Sequence, residues 1–169
     1  SAKEVIIPAV IEGYPVTIIG RSAFFDKNSL INVVIPEGII SIGENAFFSC
    51  ESLTRVEIPD SVESIGGTTF SYAASLTGFT ISENNAYYSC VDGVLFNKDK
   101  TKLICCPAGK GGEYIVPDGV TNIGYGAFDG CLFITGIRIP AGVVSIEAWA
   151  FGTCRSLKSI TIPNSVTDI

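Results

Sequence analysis

The chain has 169 residues, 47% of them hydrophobic and 17% charged, a composition that builds a core and excludes disorder, and the length suits one domain. Eleven Lys and Arg against 17 Asp and Glu leave a net charge of -6, which excludes the clustered cations of a nucleic-acid footprint. Histidine is absent, and with it the side chain most used for general acid–base work near neutral pH and for zinc or copper ligation.

No apolar run reaches the roughly 18 residues of a membrane-spanning helix, and the first residues, SAKEVIIPAVIEG, lack the basic-then-apolar layout of a signal peptide. The expectation is a segment with no membrane insertion of its own. The lack of methionine, with a repeat cut at both ends, predicts a piece of a longer array.

Along the chain, Ile-Pro or Val-Pro ends at Pro8, Pro36, Pro59, Pro117, Pro140 and Pro163, with Ser82 in the same place once. The intervals 36 to 59, 59 to 82, 117 to 140 and 140 to 163 are all 23 residues. Phe24, Phe47, Phe70, Phe128 and Phe151 follow in register, as do Gly20, Gly43, Gly66 and Gly124 after isoleucine, while Ile146 is followed by Glu147. Several columns moving together at one period mark a repeat solenoid. Within a unit, Val56 and Ile58 alternate with Arg55 and Glu57, the two-residue period of a half-buried strand. Pro59 ends it, and Asp60-Ser61 begins a turn. Glu44–Cys50 and its equivalents are expected to form short helical stretches packed through Ala and Phe against the next coil. The predicted fold is an α/β repeat solenoid of 23-residue turns over residues 1–169, about seven of them stacked roughly 4.8 Å apart.

Two intervals break the period. Extra residues near 12–16 widen the first turn, and an insert at about 84–113 is expected to hold a β-hairpin in which Gly93–Phe96 and Thr101–Ile104 flank Asn97–Lys100. Lys98, Lys100, Lys102 and Lys110 oppose Asp99 there, a local +3. They either blunt an exposed hairpin edge or contact an anion.

The unit IP-x-x-V-x-x-I-G-x-x-A-F-x-x-C-x-x-L resembles the BspA-like, or Treponema-pallidum-type, leucine-rich repeat family of bacterial surface proteins, and so does the stretch Tyr88–Asp99. The resemblance implies a curved right-handed solenoid, an extracellular or cell-surface setting, and adhesion to host proteins or to other cells. It brings no catalytic residues.

Among residues with chemistry, Cys50, Cys131 and Cys154 share one column, where Lys27 and Ala73 stand in other coils, and are expected to be inert core thiols; a Cys131–Cys154 disulfide is the weaker alternative. Cys105 and Cys106 should face opposite sides of a strand, which disfavours shared ligation, so neither metal nor cofactor is expected. Glu37, Asp60 and Glu83 would project roughly 5 Å apart; a solvated turn is favoured over a cation site or a carboxylate pair for glycoside hydrolysis. Gly109-Lys110-Gly111 lacks the first glycine and the Ser or Thr of a phosphate loop. What remains is the outward strand column. Arg55, Glu57 and Arg138, together with Lys98 and Lys100 of the insert, are the candidate binding residues for a protein or glycan macromolecule. The expected function is a non-catalytic adhesion or interaction module. A structural spacer with no ligand is the alternative.

Overall fold

The computed structural model describes residues 3–169, and its regular elements are short β-strands. The first half holds β1 (Glu4–Ile6), β2 (Val10–Ile11), β3 (Tyr14–Pro15), β4 (Ile18–Ile19), β5 (Asn32–Val34), β6 (Ser41–Ile42), β7 (Arg55–Ile58), β8 (Ser64–Ile65) and β9 (Gly78–Ile81). The insert contributes β10 (Tyr88–Val91), β11 (Val94–Asn97) and β12 (Lys102–Cys105). After it come β13 (Gly112–Ile115), β14 (Asn122–Ile123), β15 (Ile134–Arg138), β16 (Ser145–Ile146) and β17 (Ser159–Thr161).

Equivalent strands of successive coils pair in parallel. Arg55 lies opposite Asn32 on one side and Gly78 on the other, and Ile42 opposite Ile19 and Ile65. The alternation in β7 follows from this stacking: Val56 and Ile58 are buried, while Arg55 and Glu57 face out. Prolines close these strands because a ladder needs an N–H they lack.

The expected helical stretches are not helices. Among the described residues, each becomes a run of tight turns with two left-handed residues four apart: Ser22 and Asp26, Asn45 and Ser49, Thr68 and Tyr72, Gly126 and Gly130, Trp149 and Thr153. Their backbone donors alternate in direction. Ala46, Phe48 and Cys50 N–H bond back to Gly43, Asn45 and Phe47 carbonyls, while Phe47 and Ser49 N–H reach Thr69 and Ser71 O of the next coil, each at 2.9 Å. A helix of seven residues would leave most of its terminal N–H and C=O groups unpaired, whereas the stacked turns satisfy them between coils. Glycine and short unbranched polar side chains tolerate the left-handed conformation, which accounts for Ser22, Asp26, Asn45, Ser49, Gly126 and Gly130, while the β-branched Thr68 and Thr153 take it against their own preference.

The phenylalanine column runs through the core. Phe47 is fully buried, with ring centroids 5.1 Å from Phe24 and 5.5 Å from Phe70 and planes nearly parallel. The column cysteines have a polar task beside it. Cys50 and Cys154 donate their S–H to Phe24 O and Phe128 O, each at 3.1 Å, and Cys131 donates to Cys106 O at 3.6 Å. All six cysteines are free thiols, so Cys131 and Cys154 are not joined. Burial raises the pKa of Cys50 above the usual thiol value, the Cys106 side chain together with burial raises that of Cys131, and burial with Cys131 and Asp129 nearby pushes Cys154 up to about 12, so these thiols stay protonated and unreactive.

The insert lies inside the stack. Residues 88–105 form three antiparallel strands in the order β10-β11-β12, and β12 then pairs in parallel with β14 and restarts the solenoid. Val94, Leu95 and Phe96 are all 0% exposed. Leu95 belongs to the core of the first half, whereas Val94 and Phe96 belong to that of the second, so β11 divides and joins two cores. With β11 paired on both sides, the lysines do not blunt its edge: Lys102 Nζ meets Glu147 Oε1 at 2.6 Å, and Lys110 Nζ donates to Asp92 O at 3.0 Å while lying over the Tyr114 ring. On the turn side the two halves meet directly. Tyr72 lies over Gly130, where a Cβ would come 2.5 Å from Tyr72 N, and its hydroxyl donates to Thr153 Oγ1 at 2.6 Å.

Asp129, 8% exposed, sits at this junction. Burial raises its pKa, with the Ser71 side chain and the Gly130 N–H offsetting part of the effect. A raised carboxyl pKa means that the folded state holds the proton more tightly than the unfolded one. Its contribution therefore favours folding at low pH and is lost as pH rises through the raised value. Asp129→Asn is expected to raise the melting temperature at pH 7 above the parent's. At pH 3 the variant and the parent should melt together, a comparison that thermal unfolding at the two pH values makes directly.

Candidate functional site: two hollows on the strand face

The outward strand column does not form one surface. β1, β5, β7 and β9 make one sheet and β13, β15 and β17 another. The break comes from the insert. Its Asp92-Gly93 turn, with φ of 50° and 78°, folds against β9: Phe79 N–H bonds Gly93 O at 3.0 Å, and a Cβ on Gly78 would lie 3.2 Å from Gly93 Cα. That turn ends the first sheet. Asp-Gly between apolar residues is a strong hairpin signal, and the β10–β11 hairpin could have been found from it.

Each sheet face carries a hollow. The first, about 430 Å³, is lined by Asn32, Val34, Glu37, Arg55, Glu57 and Thr80. The second, about 400 Å³, is lined by Glu113, Gly136, Arg138, Ser159 and Thr161. The structure thus brings Arg55 and Glu57 together and sets Arg138 apart from them. Among the described residues, the ion pairs are Arg21 with Glu44 and Lys102 with Glu147, so the exposed Arg55 and Arg138 guanidinium groups have no carboxylate within 4.0 Å. Glu37 is engaged elsewhere as well as lining the hollow: its carboxylate accepts the N–H groups of Asp60 and Ser61 at 3.1 and 3.2 Å and caps the next coil's turn. Both hollows offer hydrogen-bond donors and acceptors on a rigid strand array.

Lys98 and Lys100 fall in a third hollow, of about 310 Å³, with Ser82, Glu83, Tyr88 and Ser89. The Lys98 ammonium donates to Glu83 O at 2.9 Å and to Asn85 O, so it ties the insert to the preceding turn. Lys100 is exposed and takes the left-handed conformation of the loop, with φ of 61°. Among the described residues, no group of three or more Cys, Asp or Glu side chains is placed to hold a metal ion, and no helix is long and apolar enough to cross a membrane.

Parallel 23-residue coils with this strand, turn and phenylalanine pattern define a leucine-rich-repeat β-solenoid. The chain belongs to the BspA-type leucine-rich-repeat family, whose profile matches residues 3–102 and 112–169 in six copies, where the sequence reading counted about seven turns. Among solved structures it is similar to the pneumococcal vaccine antigen PcpA, with 28% identity, a TM-score of 0.84, and coverage of 97% of this chain and 40% of that one. It is also similar to the leucine-rich-repeat protein of T. pallidum, with 27% identity, a TM-score of 0.61, and coverage of 98% and 72%. A Bacteroides ovatus leucine-rich-repeat protein shares the fold at 24% identity and a TM-score of 0.55, with 96% and 46% covered. The chain thus spans two fifths of the pneumococcal antigen's length. No curated protein matches it.

Proposed function

We propose that the chain is a non-catalytic interaction module of a bacterial cell-surface or secreted protein, and that its two strand-face hollows grip a host or cell-surface macromolecule. The observation that carries this reading is the pair of exposed guanidinium groups, Arg55 and Arg138, each in a hollow and each without an internal carboxylate partner. Arginine held on a rigid array is a frequent hot spot, because a partner's carboxylate, carbonyl or hydroxyl groups can accept from its fork. The likeness to a vaccine antigen supports an exposed location, since such an antigen has to be reached by antibody.

The reading is tested by surface plasmon resonance of the purified chain over a panel of extracellular-matrix proteins and mucin-type glycoproteins. Saturable binding to at least one is expected. Arg55→Ala and Arg138→Ala should each weaken it by about 2 kcal/mol, roughly 30-fold, with the melting temperature unchanged. Absence of binding across the panel would favour a spacer, and binding indifferent to both substitutions would place the contact outside the two strand-face hollows.

A further inference from the structure

A second site is marked by departures from the repeat on another face. Glu147 stands where Gly20, Gly43, Gly66 and Gly124 stand in other coils, and Trp149 where Ser22, Asn45, Thr68 and Gly126 hold the left-handed turn. Trp149 is the chain's single tryptophan, has φ of 59°, and is 66% exposed. A bulky residue is strained in this conformation, and exposure gives it little packing in return. Strain without internal return, on a residue type enriched at binding hot spots, points to contact with something outside the chain.

The adjoining coil supplies the rest. Tyr125, 40% exposed, lies across Gly67, where a Cβ would come 2.4 Å from the tyrosine ring. Beside it is a hollow of about 190 Å³ lined by Gly66, Gly67, Lys102, Gly124, Tyr125 and Glu147, at the seam where β12 restarts the solenoid. Its polar wall is preset. Glu147 Oε1 pairs with Lys102 Nζ at 2.6 Å, and Oε2 accepts the Tyr125 N–H at 2.9 Å. The pair's charges cancel, yet the ammonium keeps further N–H donors and the carboxylate further lone pairs. Trp149 follows two residues after Glu147, its neighbour Ala148 bonded through its carbonyl to Gly126 N–H.

We propose that the Lys102–Glu147 hollow, with Tyr125 in its wall, binds a neutral pyranose unit of a glycan, and that Trp149, two residues beyond Glu147 and not itself in the lining, packs on the bound ring. The C–H face of such a ring packs on aromatic carbon, and its hydroxyls both donate and accept, which matches a wall that presents both and bears no net charge. The size suits one ring. An anionic sugar fits less well, since the chain carries -6 overall and the wall already has its carboxylate. The inference deepens the binding-module reading but uses different residues, so the two can fail separately.

The test is isothermal titration calorimetry with lactose, maltotriose, cellotriose and chitotriose, and with sialyllactose as the charged arm; Trp149 fluorescence serves as a second signal. Saturable binding of at least one neutral saccharide is expected, at least tenfold weaker in Tyr125→Ala and in Glu147→Gln. Trp149→Asn should also lose binding at least tenfold while melting no lower than the parent, because asparagine suits the left-handed position. That variant separates binding from folding. Arg55→Ala and Arg138→Ala should leave saccharide binding unchanged. No neutral saccharide bound, binding of sialyllactose alone, or binding retained in both Trp149→Asn and Glu147→Gln would overturn the proposal. Saccharide binding lost in Arg55→Ala would place the sugar in a strand-face hollow instead, overturning this inference and sparing the module.

Discussion

Leu95→Asp is expected to unfold both halves of the stack, although residue 95 lies in an insert that breaks the repeat. Leu95 is 0% exposed and packs into the first core, while its neighbours Val94 and Phe96 pack into the second. A carboxylate there has no partner, and removing it from water costs several kcal/mol, comparable to the roughly 5–15 kcal/mol that holds a typical domain together. Leu95→Ala gives a graded version: lost burial and a residual cavity should cost about 2–5 kcal/mol. Circular dichroism of the aspartate variant and urea unfolding of the alanine variant read the two effects. Native-like spectra for Leu95→Asp, or a Leu95→Ala transition in which only the first half melts early, would mean that β11 does not couple the cores.

Phe47→Ala should cost about 3–5 kcal/mol. Its ring is fully buried and lies nearly parallel between Phe24 and Phe70, so truncation opens a void that the stack cannot close without shortening the spacing set by the ladders on either side. Phe25→Ala is the control. That ring stacks on Phe48 at 5.1 Å but is 45% exposed, on the outer side of the same turns, and its loss should cost no more than about 1 kcal/mol. Urea midpoints at a constant m value measure both. Equal losses for the two variants would contradict the placement of the core.

The repeat was legible because each column has one physical task, and a task repeated at 23 residues leaves a period. Val56 and Ile58 alternate because one sheet face is buried; Pro59 recurs because the strand must end. The helix expectation failed at a point composition does not register. Glu44–Cys50 reads as helical or as turns with equal ease, and the decision is made by neighbouring coils, whose carbonyls at Thr69 and Ser71 take the donors that a helix would keep. The insert's depth is written in the sequence: three consecutive apolar residues at Val94–Phe96 suit a strand buried on both faces, not one with an exposed edge. The division of the strand face into two hollows was not legible, because it depends on where the Asp92-Gly93 turn lands. Glu147 was visible as a departure from the glycine column. Trp149 was not, since its oddity appears only once its column is known to be left-handed.

The placement of the insert decides whether the two hollows belong to one stack, and amide hydrogen exchange of the native chain measures it directly. The N–H groups of Val94, Leu95 and Phe96 should exchange as slowly as those of Val56 and Ile137, only through global unfolding. Exchange of residues 94–96 on the timescale of a surface loop, with Val56 and Ile137 still protected, would contradict the account.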